Sequence, residues 1–473
     1  MHGAHLETGG QSAAVPAGAS GAVWLCSAVS ALGGLMFGYD WVVIGGAKPF
    51  YEASFHITAP TSQAWAVSCA LIGCLIGAMG SGALSERFGR KPALVVAAVI
   101  FAVSSLGTAL TGSFGGFVAW RVIGGVAIGM ASGLSPLYIA EIAPAGSRGR
   151  LVCLNQIAVV LGILGAQIVN LLIAHPVAAG ATLPEIAQSW NGQYGWRWMF
   201  AAAAVPAVAF TLGCFLIPES PRWLAKRGRW EASERVLMRF GGADYARESI
   251  ADIRRALDAA PGQSLRAVLR QVRFRRVIVT GIGLAVLQQW CGINVIFNYA
   301  QEIFASAGYA VSDTLLNIVI TGVVNCVATL LALVTIERWG RRRLLLIGCA
   351  GLAAIYTLLG ASYLLGLQGW PLLLLVVAAI ACYGMTLAPV TWVALSEIFP
   401  GEARGASMAV ATSALWSACF LLTYSFPVLN AVAGTGRTFW LYAVICVVGF
   451  VFIYARLPET RGRSLEEIER SWA

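Results

Sequence analysis

Two charged residues stand inside long apolar runs of this sequence, and their chemistry differs from that of everything around them. Asp40, in Phe37-Gly-Tyr-Asp-Trp41, is the only acidic residue well inside such a run, and Arg121 is the only basic residue at comparable depth. A charge in hydrocarbon costs several kcal/mol and marks function by default. Burial disfavours an ionised carboxylate while a neighbouring guanidinium favours it, so making or breaking an Asp40–Arg121 contact changes whether Asp40 holds a proton. The pair reads as a proton switch; the alternative is a static salt bridge that holds two helices together. A second group is neutral: Gln288, Gln289, Asn294 and Asn298 share one apolar run, and Asn325 lies in the next. Amides both donate and accept, which suits the hydroxyls of a polyol, although single amides also serve as glue between helices.

Membrane helices must position these groups. Of 473 residues, 58% are hydrophobic and 11% charged, against about 25% charged in a soluble domain. Runs of roughly 20 apolar residues, enough to cross a bilayer, lie near 23–46, 63–84, 92–111, 115–140, 151–174, 196–217, 277–304, 314–336, 344–366, 370–396, 405–430 and 437–457. On this scale Asp40 lies about eight residues before the end of the first run and Arg121 about seven into the fourth. At about 1.5 Å per residue both are roughly 10 Å deep, so a pair across adjacent helices is feasible. Gly73-x-x-x-Gly77 and Gly125-x-x-x-Gly129 among 53 glycines suit close helix packing. Alternating ten-residue segments, the mark of a β-barrel, do not occur. The expected fold is an all-α membrane protein of twelve transmembrane helices in two pseudo-symmetric six-helix halves.

Charge sets the expected orientation. The stretches 85–91, 146–150, 218–276, 338–343, 404 and 456–470 hold 28 of the 32 Lys and Arg, leaving only Lys48, Arg121, Arg197 and Arg437 elsewhere. The positive-inside rule then places both termini and the long central loop in the cytoplasm. The net charge of +10 follows from topology and contact with anionic lipid rather than nucleic acid. Residues 1–22 hold no Lys or Arg, so they read as a disordered tail rather than a cleavable signal. Residues 23–217 form the first half, 218–276 a linker of short amphipathic helices, 277–457 the second half and 458–473 a C-terminal tail. All eleven cysteines fall in spans and the four histidines are scattered, implying no disulfide framework and no metal site. No nucleotide-binding loop or nucleophile constellation is present. Neither an enzyme nor a cofactor is expected, and nothing calls for more than a monomer.

The halves repeat. Ser85-Glu-Arg-Phe-Gly-Arg-Lys91 returns as Ile336-Glu-Arg-Trp-Gly-Arg-Arg342, an offset of 251. Glu141-Ile-Ala-Pro with Arg148-Gly149 returns as Glu397-Ile-Phe-Pro with Arg404-Gly405, an offset of 256. Pro218-Glu-Ser-Pro-Arg222 returns as Pro458-Glu-Thr-Arg461. Three matches in order are the mark of a transporter built from repeats. Opposite charges gather at these helix ends: Glu86, Arg87, Arg90, Glu141, Arg148, Glu219 and Arg222 in one half, Glu337, Arg338, Arg341, Glu397, Arg404 and Glu459 in the other. They read either as caps and topology signals or as a latch between the halves on the cytoplasmic side.

In Gly82-x-x-x-Glu-Arg-x-Gly-Arg-Lys91, Pro218-Glu-Ser-Pro-Arg222, Gln288-Gln289-x-x-Gly-x-Asn294 and Pro458-Glu-Thr-Arg-Gly462 the chain resembles the sugar porters of the major facilitator superfamily, including bacterial xylose-proton symporters and facilitative glucose transporters. The resemblance spans residues 22 to 465. It implies that Gln156, Gln288, Gln289, Asn294, Asn298, Asn325, Trp392 and Trp416 line a sugar site, with Phe37 at its edge and Gly292 letting the seventh helix break or bend. Proton-coupled relatives carry an aspartate at the place of Asp40, where facilitative ones tend to have a neutral residue. The chain departs from the pattern at Leu415, where xylose symporters have glutamine, at Ala388 in place of glycine, and at Asn298 in place of a frequent tyrosine. The expectation is a proton-coupled symporter of the inner membrane that imports a pentose or hexose by alternating access, with a proton-independent uniporter or a sugar receptor as alternatives.

Overall fold

The computed structural model describes residues 17–144, 147–178, 181–258, 272–399 and 404–461. The first five membrane helices are α1 (Ala17–Ser54), α2 (Pro60–Phe88), α3 (Arg90–Leu110), α4 (Phe114–Ile142) and α5 (Arg148–Ile173). A short helix α6 (Leu183–Gln188) leads into the sixth span, made of a π turn (Asn191–Gly195), α7 (Trp196–Ala202) and α8 (Ala204–Leu216). Two polar helices follow, α9 (Pro221–Lys226) and α10 (Trp230–Asp258). The second set comprises α11 (Val272–Trp290), α12 (Ile293–Asn298), α13 (Ala300–Ser306), α14 (Val311–Trp339), α15 (Arg341–Leu364), α16 (Trp370–Met385), α17 (Leu387–Ile398), α18 (Arg404–Ala433) and α19 (Thr435–Arg456). Among the described residues, twelve spans are long and apolar enough to cross a membrane.

The two sets pack alike. In the first, α1 lies on α5, α2 on α4 and α3 on α7 and α8; in the second, α11 lies on α18, α14 on α16 and α15 on α19. Between the sets, α2 runs along α18 and α5 along α14, while α1 meets α12 and α13. The glycine motifs are where α2 and α4 touch. A Cβ at Gly73 would strike the Val122 carbonyl, and one at Gly125 the Ala70 carbonyl, so backbones approach with nothing between them.

Three breaks in the spans have local causes. Gly292 separates α11 from α12 in a left-handed conformation, φ 86°, which a side chain would strain. The tenth span breaks at Thr386, φ −127° and ψ −89°, because Pro389 lacks the N–H that the Met385 carbonyl needs and its ring crowds that oxygen. Pro206 ends α7 at Ala202 by the same rule. Pro427, within α18, leaves the Thr423 carbonyl without its helical donor; Tyr299 Oη donates to it at 2.7 Å, and this helix continues.

The first helix outruns its expected end at 46 and extends to Ser54. Lys48 and Glu52, 2% and 8% exposed, therefore join Asp40 and Arg121 as buried charges, correcting the expectation that those two stand alone. The expected disordered tail lies outside the described residues up to position 16, and from Ala17 the chain is helical.

Candidate functional site

Helices α1 and α4 carry the central charges. Asp40 and Arg121, 6% and 4% exposed, face each other, and Arg121 Nη1 donates to Asp40 Oδ1. This is their one hydrogen bond to each other, and Arg121 Nε is buried without a partner. The guanidinium also lies 5.4 Å from the Phe200 ring centre, a favourable cation–π distance. Beside the pair is a small space of about 20 Å³, lined by Phe37, Asp40, Trp41, Arg121 and Asn298 among others, enough for one water. Asn298 comes from the second half, so a single space touches the charge pair and the amide array.

The array sits where the seventh span breaks. Asn294 Nδ2 donates to Gln289 Oε1, Gln289 Nε2 to Gln288 Oε1, and Gln288 Nε2 to Tyr383 Oη at 2.9 Å. All three amides are buried. Asn294 Nδ2 also donates to Cys419 Sγ at 3.7 Å. The relay orients the three amides and leaves Asn294 Oδ1 and the second N–H of Gln288 and of Gln289 for other partners. Next to it are Phe37 and Trp416, 5.7 Å apart edge-on, and Trp41, 5.8 Å from Phe37 and 6.2 Å from Trp416. Trp416 Nε1 is buried without a partner, a donor beside an aromatic wall. Asn298 and Asn325 are buried, the latter beside Gly384. Gln156 on α5 is half-buried. Trp392 on α17 is 36% exposed. Trp41 and Tyr383 were not among the expected site residues. Trp41 adjoins Asp40 and was legible as an aromatic in that motif; Tyr383 gave no signal.

The expected latch residues form two knots, one in each half. Arg90 Nε and Nη2 donate to Glu141 at 3.0 and 2.9 Å, and Nη2 also to Glu86 at 3.0 Å. Glu141 further accepts from Ser220 Oγ at 2.6 Å. Glu219 caps α3 by accepting from the Arg90 backbone N–H at 2.9 Å; burial pushes its carboxyl up, against the pull of these backbone donors. In the second half Arg341 Nε and Nη2 donate to Glu397 at 3.1 and 2.8 Å, Thr460 Oγ1 donates to Glu397 at 2.6 Å, and Glu459 caps α15 at 2.9 Å. Helix α9 adds to the first knot alone: Lys226 Nζ donates to Glu86 at 2.6 Å. Arg87, Arg148, Arg222 and Arg338 are exposed, and the side chains of Glu337 and Arg404 lie outside the described residues. Among the described residues no ion pair joins the halves on this basic face. One does so on the opposite face, where Lys48 of α1 pairs with Glu302 of α13.

Residues 26–472 match the family model described as sugar (and other) transporter. The chain belongs to the sugar porters of the major facilitator superfamily. This porter is 37% identical to the D-xylose-proton symporter of Escherichia coli (strain K12), over 94% of each chain. It is 36% identical to the arabinose-proton symporter of Bacillus subtilis (strain 168), over 96% of this chain and 95% of that one. Among solved structures, the inward open conformation of the xylose transporter XylE from E. coli matches 95% of this porter and all of that chain, at 35% identity and TM-score 0.83. The same proton:xylose symporter bound to 6-bromo-6-deoxy-D-glucose matches at TM-score 0.78 and 36% identity, covering 96% of this porter and 100% of that chain. The fold is that of the superfamily, and the relatives are transporters rather than enzymes.

Proposed function

We propose that this porter is a proton-coupled symporter of the inner membrane that imports a monosaccharide by alternating access, its basic face and both termini in the cytoplasm. The observation that carries the reading is the shared space between Asp40, Arg121 and Asn298. A proton bound at Asp40 releases Arg121, and a sugar held by the amide array sits against the same space, so each ligand alters the surroundings of the other. A membrane potential of about 100 mV supplies about 2.3 kcal/mol per charge carried inward, equivalent to roughly a 50-fold sugar gradient.

The array fits a pentose or hexose. Gln288, Gln289, Asn294, Asn298, Asn325 and Gln156 supply hydroxyl partners, while Phe37, Trp41 and Trp416 face the C–H surface of the ring. Leu415, 3% exposed, removes one amide from the lining and narrows the polar wall. Closing the basic face brings Arg148 and the other exposed arginines toward carboxylates of the facing half, which is the latch reading. Similarity to an inward open relative and the ion pair on the opposite face support an inward-facing state here.

Proteoliposomes offered a panel of xylose, arabinose, galactose and glucose test the reading. Addition of the true substrate is expected to alkalinise the external medium. Uptake of a sugar with no accompanying proton movement points instead to a uniporter.

A further inference from the structure

The face opposite the basic loops holds charges that the proton and sugar sites do not use. Lys48 Nζ donates to Glu302 Oε1, the one ion pair among the described residues that crosses between the halves. One helical turn beyond Lys48, Glu52 places Oε1 3.0 Å from the same ammonium, yet that oxygen is buried with no aligned hydrogen bond. Its other oxygen accepts from Gln63 Nε2 of α2 at 3.3 Å, which ties Glu52 to the first half. The surroundings are tight. The Tyr299 ring centre lies 5.4 Å from Lys48 Nζ, and a Cβ at Gly45 would come within 2.6 Å of the Phe297 carbonyl. Parting the halves here therefore takes Glu302 and Tyr299 away from Lys48 and leaves Glu52 in place.

We infer that Lys48, Glu52 and Glu302 form an exchange gate: Lys48 holds Glu302 while this face is shut, and its ammonium passes to Glu52 when the face opens. The inference rests on the alternating-access reading above. Opening that strips Lys48 of its only carboxylate forfeits a charge-assisted bond, so a gate with one carboxylate would resist opening. A second carboxylate, fixed beside the lysine in its own half, keeps Lys48 paired in both states and brings their energies close. The two glutamates thus act in opposite directions. Glu302 stabilises the shut state and Glu52 the open one, although both touch the same ammonium.

Spin labels on the full chain in lipid nanodiscs test this. One label replaces Thr61, exposed at the start of α2, and the other Val432, 83% exposed near the end of α18, with signal from the unmodified chain subtracted. The wild-type background is expected to give a short and a long distance. Glu302→Gln is expected to raise the ratio of long to short by about tenfold, and Glu52→Gln to lower it by about as much. If either variant fails to fold, Glu302→Asp and Glu52→Asp, which keep the charge and shorten its reach, are to show the same opposed shifts at smaller size. Shifts in the same direction, or none, overturn the exchange gate while leaving alternating access intact. A single distance in the wild-type background overturns both.

Discussion

Arg90 and Arg121 are both buried arginines of the first six-helix set, each facing a carboxylate, yet their surroundings differ in kind. Arg90 reaches two carboxylates through three bonds, and its main partner Glu141 is further held by Ser220. Arg121 has one bond to Asp40, a buried Nε without a partner, and a water-sized space at its side. A saturated pair is fixed, because any displacement breaks several charge-assisted bonds at once. An unsaturated pair has room to change partners. The saturated pair recurs in the second half at Arg341 and Glu397, whereas Asp40 and Arg121 have no counterpart there in the repeated motifs. Repetition accompanies architecture here, and the singular pair is confined to the first half.

The largest effect should come from the saturated side. Arg90→Ala leaves Glu141 buried without its guanidinium and is expected to cost about 3–5 kcal/mol of stability, read as a lower Tm of the purified protein. Arg121→Ala in the same assay should cost less, about 1–2 kcal/mol, because it removes one bond to a carboxylate where Arg90→Ala removes three. Equal losses would erase the contrast. Next in size, Gln289→Leu interrupts the amide relay and should weaken sugar binding about tenfold, by calorimetry or substrate protection, with little change in Tm. Smallest is Arg148→Ala: this exposed residue should slow turnover about two- to fivefold and leave sugar affinity nearly unchanged, whereas turnover equal to wild type removes it from the latch.

Much of this was legible in the sequence because lipid is a severe solvent. Asp40 and Arg121 stood out as charges in apolar runs, and matched depth on neighbouring helices made their contact geometrically feasible. The repeat offsets located both knots, but not that their bonds close within each half, since sequence spacing carries no information on which conformation is populated. Lys48 and Glu52 were missed because polarity rises after Gly46 and Pro49 resembles a helix end; only tertiary burial and the Glu302 contact explain why α1 continues. The break at Thr386 was readable from Pro389 through the carbonyl four residues earlier. Tyr383, which orients the amide relay, lies among apolar residues with nothing to distinguish it from a core tyrosine.

Coupling through Asp40 is the central claim, and substitution by its neutral isostere tests it most directly. In proteoliposomes with an imposed inward proton gradient, Asp40→Asn is expected to retain sugar exchange between the two sides while losing both accumulation above equilibrium and sugar-evoked proton uptake. Accumulation by Asp40→Asn to the wild-type level, with proton uptake intact, would contradict it.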